Sequence, residues 1–136
     1  MPPSKARDLF WEGASKKEYM AFPAEVQDDM GYALDLVQAG ERVIPGAKPL
    51  TEGRLKGLGI VELVADHDTD TYRAMYTTKI GNVVYVLHAF KKKSKSGIAT
   101  PKADIDLIYN RYQAAKKHHD ATTAQATPRR AKGKKH

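Results

Sequence analysis

Val26, Met30, Ala33, Leu34 and Val37 recur at helical spacing. The repeat predicts a helix over 24–39 with one apolar stripe turned to a core. Pro23 suits the first position of that helix, and Gly40 suits its stop. Upstream, Asp8–Glu12 (DLFWE) reads as a short opening strand. Ser15, followed three positions later by Glu18, fits a capping box at the start of a first helix. Residues 40–58 hold six glycines and prolines and read as a long loop.

Three segments rich in β-branched and aromatic residues follow: Gly59–Ala65 (GIVELVA), Thr71–Thr78 (TYRAMYTT) and Val83–Phe90 (VVYVLHAF). Their short, turn-rich connections predict an antiparallel meander. Pro101 opens a last helix with Thr100 as its cap, and Ile105, Ile108, Tyr109 and Tyr112 line one side of it. The order is strand, two helices, three strands, helix. It predicts an α+β fold: a small, twisted, mainly antiparallel sheet with helices packed on one face and the other face at least partly open. Beyond Asp120 the chain is Ala, Thr, Lys and Arg without periodicity. Residues 1–120 are therefore expected to be one domain, and 121–136 a disordered basic tail.

Composition narrows the chemistry. The chain has 136 residues and no cysteine, which excludes disulfides, thiolate metal sites and cysteine nucleophiles. No apolar run approaches a membrane span, and the N-terminus MPPSKARDLFW lacks the apolar middle of a secretory signal, so a cytoplasmic protein is expected. The formal net charge is +7, which points to a polyanionic partner. Five of those cations fall after Asp120 with no acid among them, so residues 1–120 carry only two of the seven net charges. In the folded part, cations matter by position rather than by number.

The positions are informative. Lys91, Lys92, Lys93 and Lys95 crowd the end of the last strand segment, more lysine than protection of a sheet edge needs. A phosphate backbone would neutralise their repulsion. Thr71, Arg73, Met75 and Thr77 share one face of their strand. Arg73 is either a cation paired with Glu62 or an acid of the 66–70 turn, or a guanidinium fork offered to phosphate. His88, between Leu87 and Ala89, is a structural histidine or a proton carrier. Tyr72, Tyr76 and Tyr85 read mostly as core, with one left to stack on a base if it meets an open face. Asp66, His67, Asp68 and Asp70 match neither calcium nor zinc spacing and read as a turn; no metal or other cofactor is expected.

The combination AKPL (47–50), ELV (62–64), TYRAMYT (71–77) and VYVLHAFKKKSKSGIATPKADID (84–106) resembles the RelE/ParE toxin superfamily, in particular its phage-derived, HigB-like branch. The resemblance runs from about Leu9 to His119. It implies the toxin of a type II toxin–antitoxin pair, partnered by a helix-turn-helix (HigA-like) antitoxin. It further implies a ribosome-dependent endoribonuclease that cuts messenger RNA without metal, the ribose 2′-hydroxyl attacking its own phosphate. Carried over by position, Arg73 contacts the scissile phosphate, Lys92 stabilises the transition state, and His88 is a proton carrier. Lys91, Lys93, Lys95 and Lys56 hold RNA. The tyrosine that RelE carries after its basic motif has no counterpart in SKSGIATPK. A ParE-like gyrase inhibitor and a non-catalytic binding module of the same fold remain alternatives. The nuclease reading requires Arg73 and Lys92 to converge on one open patch.

Overall fold

Alternation of β-branched and aromatic residues from Ile60 onward builds the meander around which the rest of the chain packs. A computed structural model describes residues 7–93 and 100–131. In chain order the elements are β1 (Asp8–Trp11), α1 (Ser15–Met20), α2 (Ala24–Gln38), β2 (Ala47–Pro49), a 3-10 turn (Gly53–Leu55), β3 (Ile60–His67), β4 (Asp70–Thr77), β5 (Val83–Lys93) and α3 (Lys102–Ala131). The five strands form one sheet in the order β1-β5-β4-β3-β2. Only the β1–β5 pair is parallel.

The α+β class and the antiparallel meander are as the sequence predicts, but the helices are not confined to one face. Tyr72, Ala74, Tyr76, Leu63, Val84 and Val86 pack with Val26, Met30, Leu34 and Val37 of α2 on one side. Ile60, Met75, Tyr85 and Leu87 pack with Ile108, Tyr112 and Ala115 of α3 on the other. The reason lies in β4, which is buried at every residue from Thr71 to Thr77. A central strand with large apolar groups on both faces needs a cover on each.

Local details differ as well. The capping box does not form: Ser15 Oγ donates to Val86 O instead, and Glu18 turns toward β5. Pro23 is the residue before α2 rather than its first. Gly40 follows α2 with φ +84°, a left-handed conformation suited to glycine. The 40–58 loop contains β2, which pairs Lys48 with Glu62. β5 runs three residues past Phe90, so Lys91 and Lys92 belong to the strand itself. Helix α3 continues to Ala131, past the point where the tail was expected to begin; residues 132–136 lie outside the described residues. Gly81 turns the chain from β4 into β5 with φ +64°, and a Cβ there would collide with the His119 ring of α3. No helix among the described residues is long and apolar enough to cross a membrane.

Candidate functional site

The face of the sheet that carries α3 also carries Arg73 and Lys92, two of the sequence-predicted cations. Along it, Thr71 pairs with Lys92, Arg73 with Phe90 and Met75 with His88. A register shift then follows between Met75 and Tyr76, after which Tyr76 pairs with Val86 and Thr77 with Tyr85. The extra residue is Leu87. This bulge resets the alternation of β5, so that His88, Phe90 and Lys92 join the face of Arg73. Arg73 and Lys92 are thus diagonal cross-strand neighbours, a spacing of roughly 7–8 Å on an antiparallel pair and within reach of long side chains.

The patch is not open at Arg73. Its side chain lies beside Val64 and Phe90, and the residue is only 5% exposed. Arg73 Nη1 donates to Glu62 Oε2 at 2.9 Å, and Glu62 is 3% exposed. Sequence reasoning held this pairing as one alternative, and it is the one observed. Arg73 Nε is also buried, with no hydrogen-bond partner. Such an unpaired N–H costs about 1–3 kcal/mol, so an acceptor entering here would gain that back.

His88 is 4% exposed and lies between two carboxylates. Its Nδ1 is 3.0 Å from Glu18 Oε1, and its Nε2 is 2.7 Å from Asp104 Oδ1. Arg111 Nη1 also lies 3.4 Å from His88 Nδ1. Arg111 Nη1 and Nη2 grip the Glu18 carboxylate at 2.9 and 3.0 Å, and Nη1 also donates to Leu87 O. Burial pushes the Glu18 carboxyl up, but the Arg111 hydrogen bond and the charge of His88 outweigh it and hold the group below its ordinary value. The proton-carrier role expected for His88 finds no exposed ring nitrogen. The network instead ties α1 and α3 to β5.

It does so where β5 has lost its neighbour. β1 covers β5 only from Val83 to Val86. Beyond that, Glu12 N and Ser15 Oγ donate to Val86 O, Arg111 donates to Leu87 O, and Ala89 N donates to Glu18. Side chains thereby satisfy an edge that would otherwise leave backbone groups unpaired. Sequence reasoning missed Glu18, Asp104 and Arg111 for this role, because Glu18 lies far along the chain from the other two and nothing local links either helix to His88.

The other lysines separate. Lys91 pairs with Tyr72, which puts it on the opposite face from Lys92, and its Nζ is 3.7 Å from Asp70 Oδ2. Lys56 is exposed and leads into β3 at the end where Ile60 pairs with Thr77, away from Arg73. Lys93 closes β5 opposite Asp70. Lys95 lies outside the described residues. The tyrosines offer no platform, since Tyr72, Tyr76 and Tyr85 are all buried. Phe90 is half-buried on the Arg73 face and stacks on His88 with centroids 5.2 Å apart and planes 20° apart. Where β5 passes α1, a cleft of about 330 Å³ is lined by Glu18, Ala21, Phe22, Tyr72, Ala89, Phe90 and Lys91.

Residues 17–113 match the family model described as "Phage derived protein Gp49-like (DUF891)". The matched span includes α1 from Lys17 onward, α2, the whole meander and the first turns of α3. No curated protein matches the chain.

Proposed function

The chain belongs to the phage-derived Gp49-like family, a family of RelE-type toxins, and from that premise we propose that it is the toxin of a type II toxin–antitoxin pair, of the HigB-like kind, that cuts messenger RNA on the ribosome. The observation that carries the reading is the shared face of Arg73 and Lys92, set by the β5 bulge. Cleavage by the neighbouring 2′-hydroxyl needs RNA held in line and extra negative charge stabilised on the phosphorane. Lys92 supplies a half-exposed cation for that charge. The open patch that the reading needs is present at Lys92 but not at Arg73, which is buried against Glu62 and whose unpartnered Nε would meet a phosphate oxygen only once its surroundings open. His88 is assigned to holding Phe90 and the start of α3, rather than to moving protons. A helix-turn-helix antitoxin is the proposed partner, and the cytoplasm, where ribosomes are, the place of action.

One observation favours a second reading. Arg73 and Glu62 already neutralise each other in a buried pair, which suits a module that binds RNA without cutting it. Controlled expression in bacteria with mapping of messenger-RNA 5′ ends separates the two. The nuclease reading expects growth arrest with new ends inside translated codons. Intact messages would leave the binding module, and intact messages with a DNA-damage response would mean a gyrase inhibitor.

A further inference from the structure

Among the described residues, Phe90 is the aromatic residue that β4 and β5 bring to the Arg73–Lys92 face without burying it. Four observations converge on it. Arg73 stands directly across from it on β4. Lys92 follows two positions later on the same side of β5. Its ring is stacked on His88, at 5.2 Å and 20°. His88 in turn is fixed at both nitrogens by Glu18 and Asp104, so the ring beneath Phe90 has no freedom to turn.

An aromatic ring held rigidly between cations is the arrangement that takes single-stranded nucleic acid: the cations hold consecutive phosphates while a base stacks on the ring. We propose that Phe90 is a stacking platform for one unpaired nucleobase of the RNA, next to the phosphate held at Arg73 and Lys92. The proposal rests on the RNA-directed reading above and adds the element that reads a base rather than the backbone. Stacking tolerates any base, so the platform fixes the register of the strand more than its sequence. His88 is a positioning residue for this platform. The ion network around it acts on RNA only through Phe90.

The test uses the full chain and a short single-stranded oligoribonucleotide carrying 2-aminopurine, whose fluorescence falls when the base stacks. The wild-type protein is expected to quench the probe on binding. Phe90→Leu keeps an apolar side chain of similar bulk and is expected to unfold at the wild-type temperature. It should bind the probe roughly one to two orders of magnitude more weakly and leave it unquenched when bound. Phe90→Tyr should restore both. Lys92→Ala should weaken binding but leave the bound probe quenched. Quenching by Phe90→Leu equal to the wild type, or no quenching by the wild type at saturating protein, overturns the platform. The two readings fail separately: a wild-type protein that quenches the probe but cuts no message removes the nuclease, whereas a Phe90→Leu protein that quenches and cuts like the wild type removes the platform.

Discussion

Lys92 shares a face of the sheet with Arg73 because one bulge, at Leu87, shifts the β5 register between Met75 and Tyr76. In a regular strand that kept Leu87 in the ladder, Lys92 would stand on the α2 side with Val84 and Val86. The bulge therefore decides whether the two cations share a face at all. Deleting Leu87 should remove the bulge yet keep Val86 opposite Tyr76 and His88 opposite Met75, so that Lys92 stays on the Arg73 face. Retained RNA binding is the expected outcome, read by probe titration with thermal denaturation as the check on folding; lost binding in the folded variant would contradict this register.

The Arg73–Glu62 pair is a stability element as well as a site feature. Removing one partner leaves a buried charge uncompensated, which costs about 3–5 kcal/mol. Glu62→Ala and Arg73→Ala should each lose about that much in urea denaturation. Glu62→Leu combined with Arg73→Met should recover most of it, because an apolar pair of similar volume needs no ionic partner. A single variant with wild-type stability would show that the pair is not sealed from water. Loss of toxicity in Arg73→Ala speaks to RNA contact only in conditions where that variant remains folded.

Glu18 makes stability depend on acid. Its carboxyl is held below the ordinary value of 4.5, since Arg111 and His88 favour the ionised form more than burial disfavours it. A depressed folded-state value stabilises the protein above the unfolded value, and this contribution is lost as pH falls through the folded one. The urea midpoint of the wild type should therefore drop below about pH 4.5. Glu18→Gln should start lower at neutral pH and show a shallower drop. Parallel curves for the two proteins would place the acid-sensitive group elsewhere.

Arg111 anchors α3 by gripping Glu18 and Leu87 O together. Arg111→Met should cost about 3 kcal/mol, since it strands the Glu18 carboxylate near His88 without its main partner. Hydrogen exchange should then speed up in α1 and in the first turns of α3, while β3 and β4 stay protected. Uniform exchange across the chain would mean that the network does not act locally. Lysine at this position should rescue poorly, because one ammonium cannot make the two-pronged contact.

The basic stretch after Asp120 adds long-range charge. Removing residues 121–136 takes away five cations. The slope of log affinity against log salt for single-stranded RNA should become shallower by roughly 0.7 for each phosphate that the truncated chain no longer neutralises. Message cutting by the truncated chain should persist. An unchanged slope would show that those cations do not meet RNA.

Much of the architecture was legible in the sequence. The helical repeat of Val26–Val37 and the β-branched runs gave α2 and the meander, because each carries its own periodicity. β2 was not legible: three residues ending in Pro49 have no pattern of their own and form a strand only because β3 offers an edge. The placement of α3 follows from β4, whose apolar residues on both faces need a cover on each side, and not from the order of the elements. The site was half legible. Alternation within β4 put Arg73, Met75 and Thr77 on one face correctly. Nothing local announces the bulge at Leu87, so the face of His88, Phe90 and Lys92 had to be seen. Glu18, Asp104 and Arg111 meet His88 only through tertiary packing, which is why a histidine between two apolar neighbours resembled a proton carrier.

The most direct measurement is cleavage of a defined message on purified ribosomes by the wild type and by Lys92→Ala, a half-exposed position whose loss leaves the core intact. The account predicts cutting by the wild type within the codon presented at the decoding site. It predicts a rate about 10²–10³-fold lower for Lys92→Ala, with no change in unfolding temperature. A message left whole by the folded wild-type protein, or cut equally fast by Lys92→Ala, would contradict it.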